Sequence, residues 1–455
     1  MLNTNCEYLK PEIMEVVRSF DAEGEDFTQY FSYNNGIYFN SIEYNGEFYD
    51  SEDEFRTESD LEFKRYAKRF VKLAFYRLLS KSLGYTLPYG ALTGIRPTKL
   101  AYNEIREGRD FSALFDTMGV SEENKKLVSR VIECQRKIYG DRGGQDLFVS
   151  LPFCPSKCEY CSFITAPVSA TEKYVNPYIS CVEREIQSVK PFITRLKSAY
   201  IGGGTPFAIP TEQLERIYAA LNALSPRDCE YTVEAGRPDV FSEEKLKLTK
   251  DYGVNRICIN PQTFSDSTLE KIGRKHTVKQ IYQAFEMSAK YGFDVNLDLI
   301  AGLADETPQD FENSLLQAIK LNPANITVHT LSLKSGARLK ENVARLHVDG
   351  IGRMIGISRD LLTQAGYEPY YMYRQKYQAG GHENCGWCKP DKQCVYNIDV
   401  MEEISDNVAV GANAISKKLF GEEDRIERCA SPKDIPTYIQ KTEKIISERN
   451  ALFGI

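Results

Sequence analysis

Three cysteines stand within the stretch LPFCPSKCEYCSF, at Cys154, Cys158 and Cys161, in the spacing C-x3-C-x2-C. Three thiols are an odd number for disulfides and one short of the closed four-ligand shell of a structural zinc, and no histidine lies in the segment to complete one. Thiolates bind iron–sulfur clusters, and a [4Fe–4S] cluster with three protein ligands leaves one iron open to a substrate or cofactor. The competing reading is three reduced thiols on a strand and the loop after it.

Other residue sets further along could act on the same ligand. IGGGTPF (201–207) sets three glycines at the end of an apolar run, where bare backbone can approach a ligand and present N–H groups. A tight strand-to-helix turn would look the same. Glu234 in TVEAGRPD stands at a strand end, and Gln262 and Arg274 in NPQTFSDSTLEKIGRKH and Asp298 in LDLIAGLADET come from the strands and loops that follow. By type, Asp and Glu could accept from hydroxyl or ammonium groups and Arg could pair with a carboxylate. Singly, each also reads as a rim salt bridge. HENCGWCKPDKQC brings His382, Cys385, Cys388 and Cys394 into a spacing that permits zinc or a second cluster without demanding it. Free thiols near a substrate mouth are the expectation there. YYMYRQK (370–376) alternates aromatics and ends in Arg374 and Lys376, either a stacking and cationic surface or an ordinary edge strand.

These residues need a scaffold. From Asp146 short apolar runs (LFVSLPF, SAYIGGG, YTVEAG, RICIN, VNLDLIAGL, NITVHTLSL) alternate with amphipathic stretches, which predicts parallel strands joined by right-handed crossovers. Six units fit a partial (β/α)6 barrel open on one side. The cysteines then follow its first strand, at the C-terminal strand ends where barrel sites lie. The predicted organisation is an α+β N-terminal domain over 1–140, the barrel over 146–336, and an α+β C-terminal domain over 337–455 that covers the substrate. The first domain opens with a hairpin at 36–50 turning on Asn45-Gly46, a solvated turn at DSEDEF (50–55), and a helix over 61–83. In the last, GRMIGISRDLLTQAG reads as helix and EPYYMYRQ, VYNIDVM and VAVGANAIS as strands.

The 455 residues carry a formal net charge of −7 and no basic stripe, which argues against nucleic acid as the main partner. No apolar run is long enough to span a membrane, and MLNTNCEYLKPEIMEVV lacks the charged and apolar blocks of a signal peptide. A cytoplasmic protein with mostly reduced thiols among its 12 cysteines is therefore expected.

The cysteine motif, with Tyr160 before its last cysteine, resembles the signature of the radical S-adenosylmethionine (SAM) superfamily. The GGGTP segment is similar to that of its coproporphyrinogen-dehydrogenase branch. PYGALTGIRPTKL, TVEAGRPD, INPQTF and NCGWCKPDKQCVYNIDVMEE resemble the HemZ-type subgroup of the oxygen-independent coproporphyrinogen III oxidase family, from about residue 60 to the end. This resemblance implies a [4Fe–4S] cluster on Cys154, Cys158 and Cys161. It implies SAM on the fourth iron, contacted by Phe148, Gly203, Gly204, Thr205, Glu234, Gln262, Arg274 and Asp298. It implies a tetrapyrrole substrate, a monomer, and electrons from a reducing protein such as flavodoxin or ferredoxin. The implied reaction is oxidative decarboxylation of coproporphyrinogen III to protoporphyrinogen IX. The alternatives are a haem chaperone and a radical enzyme acting on haem or another tetrapyrrole. The chain departs from the better-known branch at Phe148 and Ser150, where that branch has Tyr and His, and at Phe163, where it has a further cysteine.

Overall fold

The computed structural model describes residues 1–94, 96–163, 165–332, 348–375, 379–421 and 425–454. The chain falls into two units. One holds Met1–Ile132, His347–Gly352 and Met372–Asn384, the other Glu133–Leu346, Arg353–Tyr371 and Cys385–Ile455.

In the first unit β1 (Leu2–Thr4), α1 (Lys10–Ser19), β2 (Phe27–Asn34), β3 (Ile37–Tyr44) and β4 (Glu47–Glu54) build a sheet in the order β1-β2-β3-β4. Asn45 and Gly46 both take positive φ, 53° and 79°, as the predicted two-residue hairpin turn requires. DSEDE is not a turn: it lies within β4, an edge strand whose carboxylates face water and discourage pairing with another chain. Helix α2 (Asp60–Leu83) starts where Ser59 accepts the Glu62 N–H and stops at Gly84 in the left-handed region. Its Val71, Phe75 and Leu79 are buried, as are Tyr38 and Ile42 of β3. Helices α3 (Pro97–Arg106), α4 (Phe111–Thr117) and α5 (Glu122–Gly140) follow.

The second unit carries the predicted alternation. Its elements are β5 (Gln145–Leu151), β6 (Phe153–Cys154), β7 (Ala166–Pro167), α6 (Val168–Val189), β8 (Leu196–Gly203), α7 (Thr211–Asn222), β9 (Glu230–Gly236), α8 (Glu243–Asp251), β10 (Arg256–Gln262), α9 (Asp266–Lys271), α10 (Val278–Lys290), β11 (Asp294–Ala301), α11 (Pro308–Leu321) and β12 (Asn325–Thr330). The six strands β5, β8, β9, β10, β11 and β12 are parallel and adjacent in chain order, as expected. After them come α12 (Val348–Gln364), β13 (Glu368–Tyr373), β14 (Asn384–Cys388), α13 (Val395–Glu402), β15 (Asp406–Val410), β16 (Ile415–Phe420), β17 (Arg425–Ala430) and α14 (Ile435–Phe453). Among the described residues the sheet runs β13-β14-β12-β11-β10-β9-β8-β5-β15-β16-β17 and does not close. A seventh parallel strand, β15, extends it beyond β5, with Asp406 opposite Gln145. VYNIDVM is helix α13 and not a strand. The Glu230 carboxylate accepts the N–H groups of Val395 and Tyr396, an N-terminal cap supplied from far away in sequence. Among the described residues no helix is long and apolar enough to cross a membrane.

A buried ion pair ties the C-terminal helix to the start of the site. Glu185 and Arg449 are 0% and 1% exposed and lie 2.6 Å apart. Glu185 also accepts the Gly411 N–H at 2.7 Å, and the adjoining Ala412 carbonyl accepts the Ser150 hydroxyl at 2.7 Å. Ser150 sits four residues before the first site cysteine. Arg449→Ala strands the Glu185 carboxylate and is expected to destabilise this unit by about 3–5 kcal/mol, read as a lowered denaturation midpoint.

Candidate functional site

The short strands β6 and β7 pair in parallel, Phe153 with Ala166 and Cys154 with Pro167, and so close the base of the loop that carries the three cysteines. The glycines of the next strand lock that base. Gly204 N–H donates to the Leu151 carbonyl at 2.9 Å and Thr205 N–H to the Phe153 carbonyl at 2.7 Å. A Cβ on Gly204 would stand 2.5 Å from the Phe153 carbonyl oxygen, and Gly203 takes φ +106°, so neither position accepts another residue without displacement. The Thr205 hydroxyl donates to Cys154 Sγ at 3.5 Å. Glu159 N–H donates to the Ile272 carbonyl at 3.1 Å. Arg274, 7% exposed, donates to the Tyr160 hydroxyl at 2.7 Å and to the Asn260 carbonyl, and lies beside Cys158. Burial raises the thiols of Cys154 and Cys161, the latter to about 11, so thiolate ligation there releases protons.

Strand alternation brings a polar set onto one face of the sheet, next to the glycine turn. Asn260 donates to Glu234 at 3.2 Å, Asn296 to Asp298 at 2.8 Å, and Thr327 to Asn296 at 3.1 Å; His329 Nε2 stands 3.7 Å from Asp298. The Gly203 N–H also reaches Glu234. Burial, then the neighbouring Asp298 charge, pushes Glu234 up to about 7. Phe148, Tyr200 and Tyr396 stack here, with centroids 6.2 Å apart for Phe148–Tyr200 and 4.6 Å for Tyr200–Tyr396. Gln262 is 7% exposed with φ +70°, an uncommon conformation for a non-glycine residue that functional sites often retain.

The structure thus gathers Cys154, Cys158, Cys161, Gly203, Gly204, Thr205 and Arg274 around one loop, and Phe148, Glu234 and Asp298 on the adjoining sheet face. Tyr200, Asn260, His329 and Tyr396 escaped the sequence reading. Period-two alternation from Gly202, Asp298 and Thr327 would have found Tyr200 and His329; Tyr396 gave no such signal, because its segment read as a strand.

Among the described residues, His, Cys, Asp and Glu side chains do not assemble in threes as a ready metal shell. In the second cysteine group each thiol has its own neighbour. Cys394 donates to Glu230 at 3.1 Å, Cys388 Sγ is 4.0 Å from Cys134 Sγ, and Cys385 faces the Gly386 carbonyl. Of the two readings of YYMYRQK the edge strand fits: its aromatics lie in β13, at the end of the sheet. Tyr370 and Tyr371 are buried, and Arg374 donates to the carbonyls of Leu92 and Gly381 and stacks over Tyr89. Lys376 lies outside the described residues.

A model of the radical SAM superfamily matches residues 148–318. The oxygen-independent coproporphyrinogen-III oxidase-like protein HemZ of Bacillus subtilis is 32% identical over 401 residues, covering 84% of this chain and 80% of that protein. The heme chaperone HemW of Bacillus subtilis is 37% identical over 190 residues, 40% of this chain and 49% of its own length. Among solved structures, coproporphyrinogen III oxidase (HemN) from Escherichia coli shares the fold with a TM-score of 0.54 at 20% identity, over 68% of this chain and 71% of that one. The superfamily uses a [4Fe–4S] cluster and SAM. The residues present fit that pair: three thiols with no fourth in the loop, a glycine turn that only bare backbone can fill, and buried atoms lacking protein partners at Gln262 Oε1, Asn260 Oδ1 and Arg274 Nε.

Two outcomes follow from this geometry. Because the folded state raises the Glu234 pKa, the stability it contributes is fully present below the usual 4.5 and is lost as pH rises through about 7. Glu234→Gln should abolish that loss, so its melting temperature relative to wild type should rise between those pH values. With each of the second thiols facing a different neighbour, the Cys154/Cys158/Cys161 triple-alanine variant should carry neither iron nor zinc. Near-stoichiometric metal on elemental analysis would show a closed second site.

Proposed function

This chain belongs to the radical SAM superfamily and, within it, to the oxygen-independent coproporphyrinogen-III oxidase-like proteins, and from that premise we propose that it is an oxidoreductase converting coproporphyrinogen III to protoporphyrinogen IX without oxygen. The observation that carries the reading is the likeness to HemZ, which runs over most of both chains. In the net reaction each of two propionate side chains would lose carbon dioxide and a β-hydrogen to become a vinyl group, and one SAM per propionate, reductively cleaved to methionine and 5′-deoxyadenosine, would be the oxidant that takes up the hydrogen and the electrons. Cys154, Cys158 and Cys161 would hold the cluster. When bound, the cluster and SAM supply the one-electron cleavage that opens hydrogen abstraction from substrate.

The chain's own part is binding and shielding. Gly203 and Gly204 offer backbone, while Glu234, Gln262 and Asp298 offer acceptors to SAM hydroxyl and ammonium groups. Arg274 secures the loop through Tyr160 and keeps a cation beside the thiolates. Phe148, with Tyr200, walls the site with rings. Residues 337–455 are taken as the substrate-covering domain, after an N-terminal domain over 1–140 and a barrel over 146–336. The protein is proposed to act as a cytoplasmic monomer reduced by a flavodoxin or ferredoxin.

A second reading, a haem chaperone, is favoured by the likeness to HemW. One experiment separates the two. Anaerobically reconstituted protein is incubated with SAM, reductant and coproporphyrinogen III, and the products are analysed. The expected outcome is protoporphyrinogen IX with 5′-deoxyadenosine, both lost in Cys158→Ala. Stoichiometric haem binding with no porphyrinogen product would favour the chaperone. In the same assay Asp298→Ala should weaken SAM binding by about 1.5–3 kcal/mol while the iron content holds.

A further inference from the structure

Arg237 follows Gly236 at the end of β9 and is 2% exposed. Its guanidinium grips Asp239 through two contacts, Nε to Oδ1 at 2.9 Å and Nη2 to Oδ2 at 2.6 Å. Its remaining nitrogen, Nη1, donates to the Ser156 hydroxyl at 2.5 Å. Ser156 lies inside the cysteine loop, between Cys154 and Cys158. Asp239 is therefore engaged by the far side of the guanidinium, and the near side is fixed on the loop. His276 Nδ1 stands 3.9 Å from Asp239, and burial keeps that ring uncharged, so it does not compete for the carboxylate. A planar fork that pairs bidentately and still reaches a third acceptor is a geometry that lysine cannot copy.

We propose that Arg237 is a positioning residue for the cluster-binding loop. It holds Ser156, and with it the spacing of Cys154 from Cys158, and through that contact it brings a guanidinium to the cysteine loop. This inference rests on the reading of the three cysteines as cluster ligands. The charge stabilises the more negative, reduced state of a bound cluster, and the hydrogen bond orders the loop before any metal arrives.

The test compares wild type with Ser156→Ala, Arg237→Lys and Arg237→Gln. Hydrogen–deuterium exchange of the 152–163 segment is measured in metal-free protein, followed by iron affinity and the midpoint potential of the reconstituted cluster. Ser156→Ala leaves the buried ion pair intact and so keeps the fold. It should raise loop exchange roughly tenfold, the effect of one lost net hydrogen bond, and lower iron affinity by about tenfold or more. Its potential should stay at the wild-type value. Arg237→Gln should also loosen the loop and shift the potential to a more negative value. Arg237→Lys should loosen the loop and retain the potential. Loop exchange and iron affinity unchanged in both Ser156→Ala and Arg237→Gln would overturn the proposal. If wild type takes up no iron while the variants loosen the loop, the positioning role stands and the cluster reading falls.

Discussion

The site depends on one close approach of backbone to backbone. Gly204 lies so near the Phe153 carbonyl that it has no room for a side chain, and its N–H caps the Leu151 carbonyl at the end of the first barrel strand. That contact fixes where β5 ends and where the cysteine loop begins. Thr205, one residue on, can then reach Cys154, and the Gly203 N–H is free to meet Glu234. A methyl group at Gly204 would push the two strand ends apart and would move the first cysteine and the glycine turn away from each other. The loop itself is held from several directions, by Arg274 on Tyr160 and by Ile272 on Glu159, so its thiols are constrained before any metal binds.

Behind that turn the sheet face is polar where a barrel interior is ordinarily aliphatic. Placing Glu234, Asp298, Asn260, Asn296 and His329 together carries a desolvation penalty, which the hydrogen bonds among them offset in part. The rise of Glu234 to about 7 is a measure of what remains. A cationic ligand bound there would relieve the repulsion between the two carboxylates, so this face is disposed to bind positive charge. The aromatic wall of Phe148, Tyr200 and Tyr396 lowers the local dielectric and strengthens that preference.

Local physics made much of this legible in the sequence. The hairpin turn at Asn45-Gly46 follows from two residues that tolerate positive φ. The six parallel strands follow from apolar runs too short for helices, and the glycine turn from three residues that no ordinary strand would place together. What the sequence hid was set by distant partners. Helix α13 forms from a segment with a strand-like pattern because Glu230 caps it from 165 residues away. Strand β15 joins the barrel strands because its register partner is β5, more than 250 residues earlier. YYMYRQK could be read as a cationic surface or as an edge strand, and what separates the two is distant: Arg374 is engaged by backbone carbonyls that no local pattern announces. Among the candidate residues, those chosen for backbone conformation or for metal chemistry were easier to read than Tyr200 and His329, whose part depends only on which sheet face they share.

The central claim is that Cys154, Cys158 and Cys161 would hold a cluster and leave its fourth iron for SAM. Electron paramagnetic resonance of the anaerobically reconstituted, reduced protein, recorded with and without SAM, tests it most directly. The account predicts one [4Fe–4S] signal, perturbed when SAM is added and absent from Cys158→Ala. A signal indifferent to SAM, or one that survives in Cys158→Ala, would contradict it.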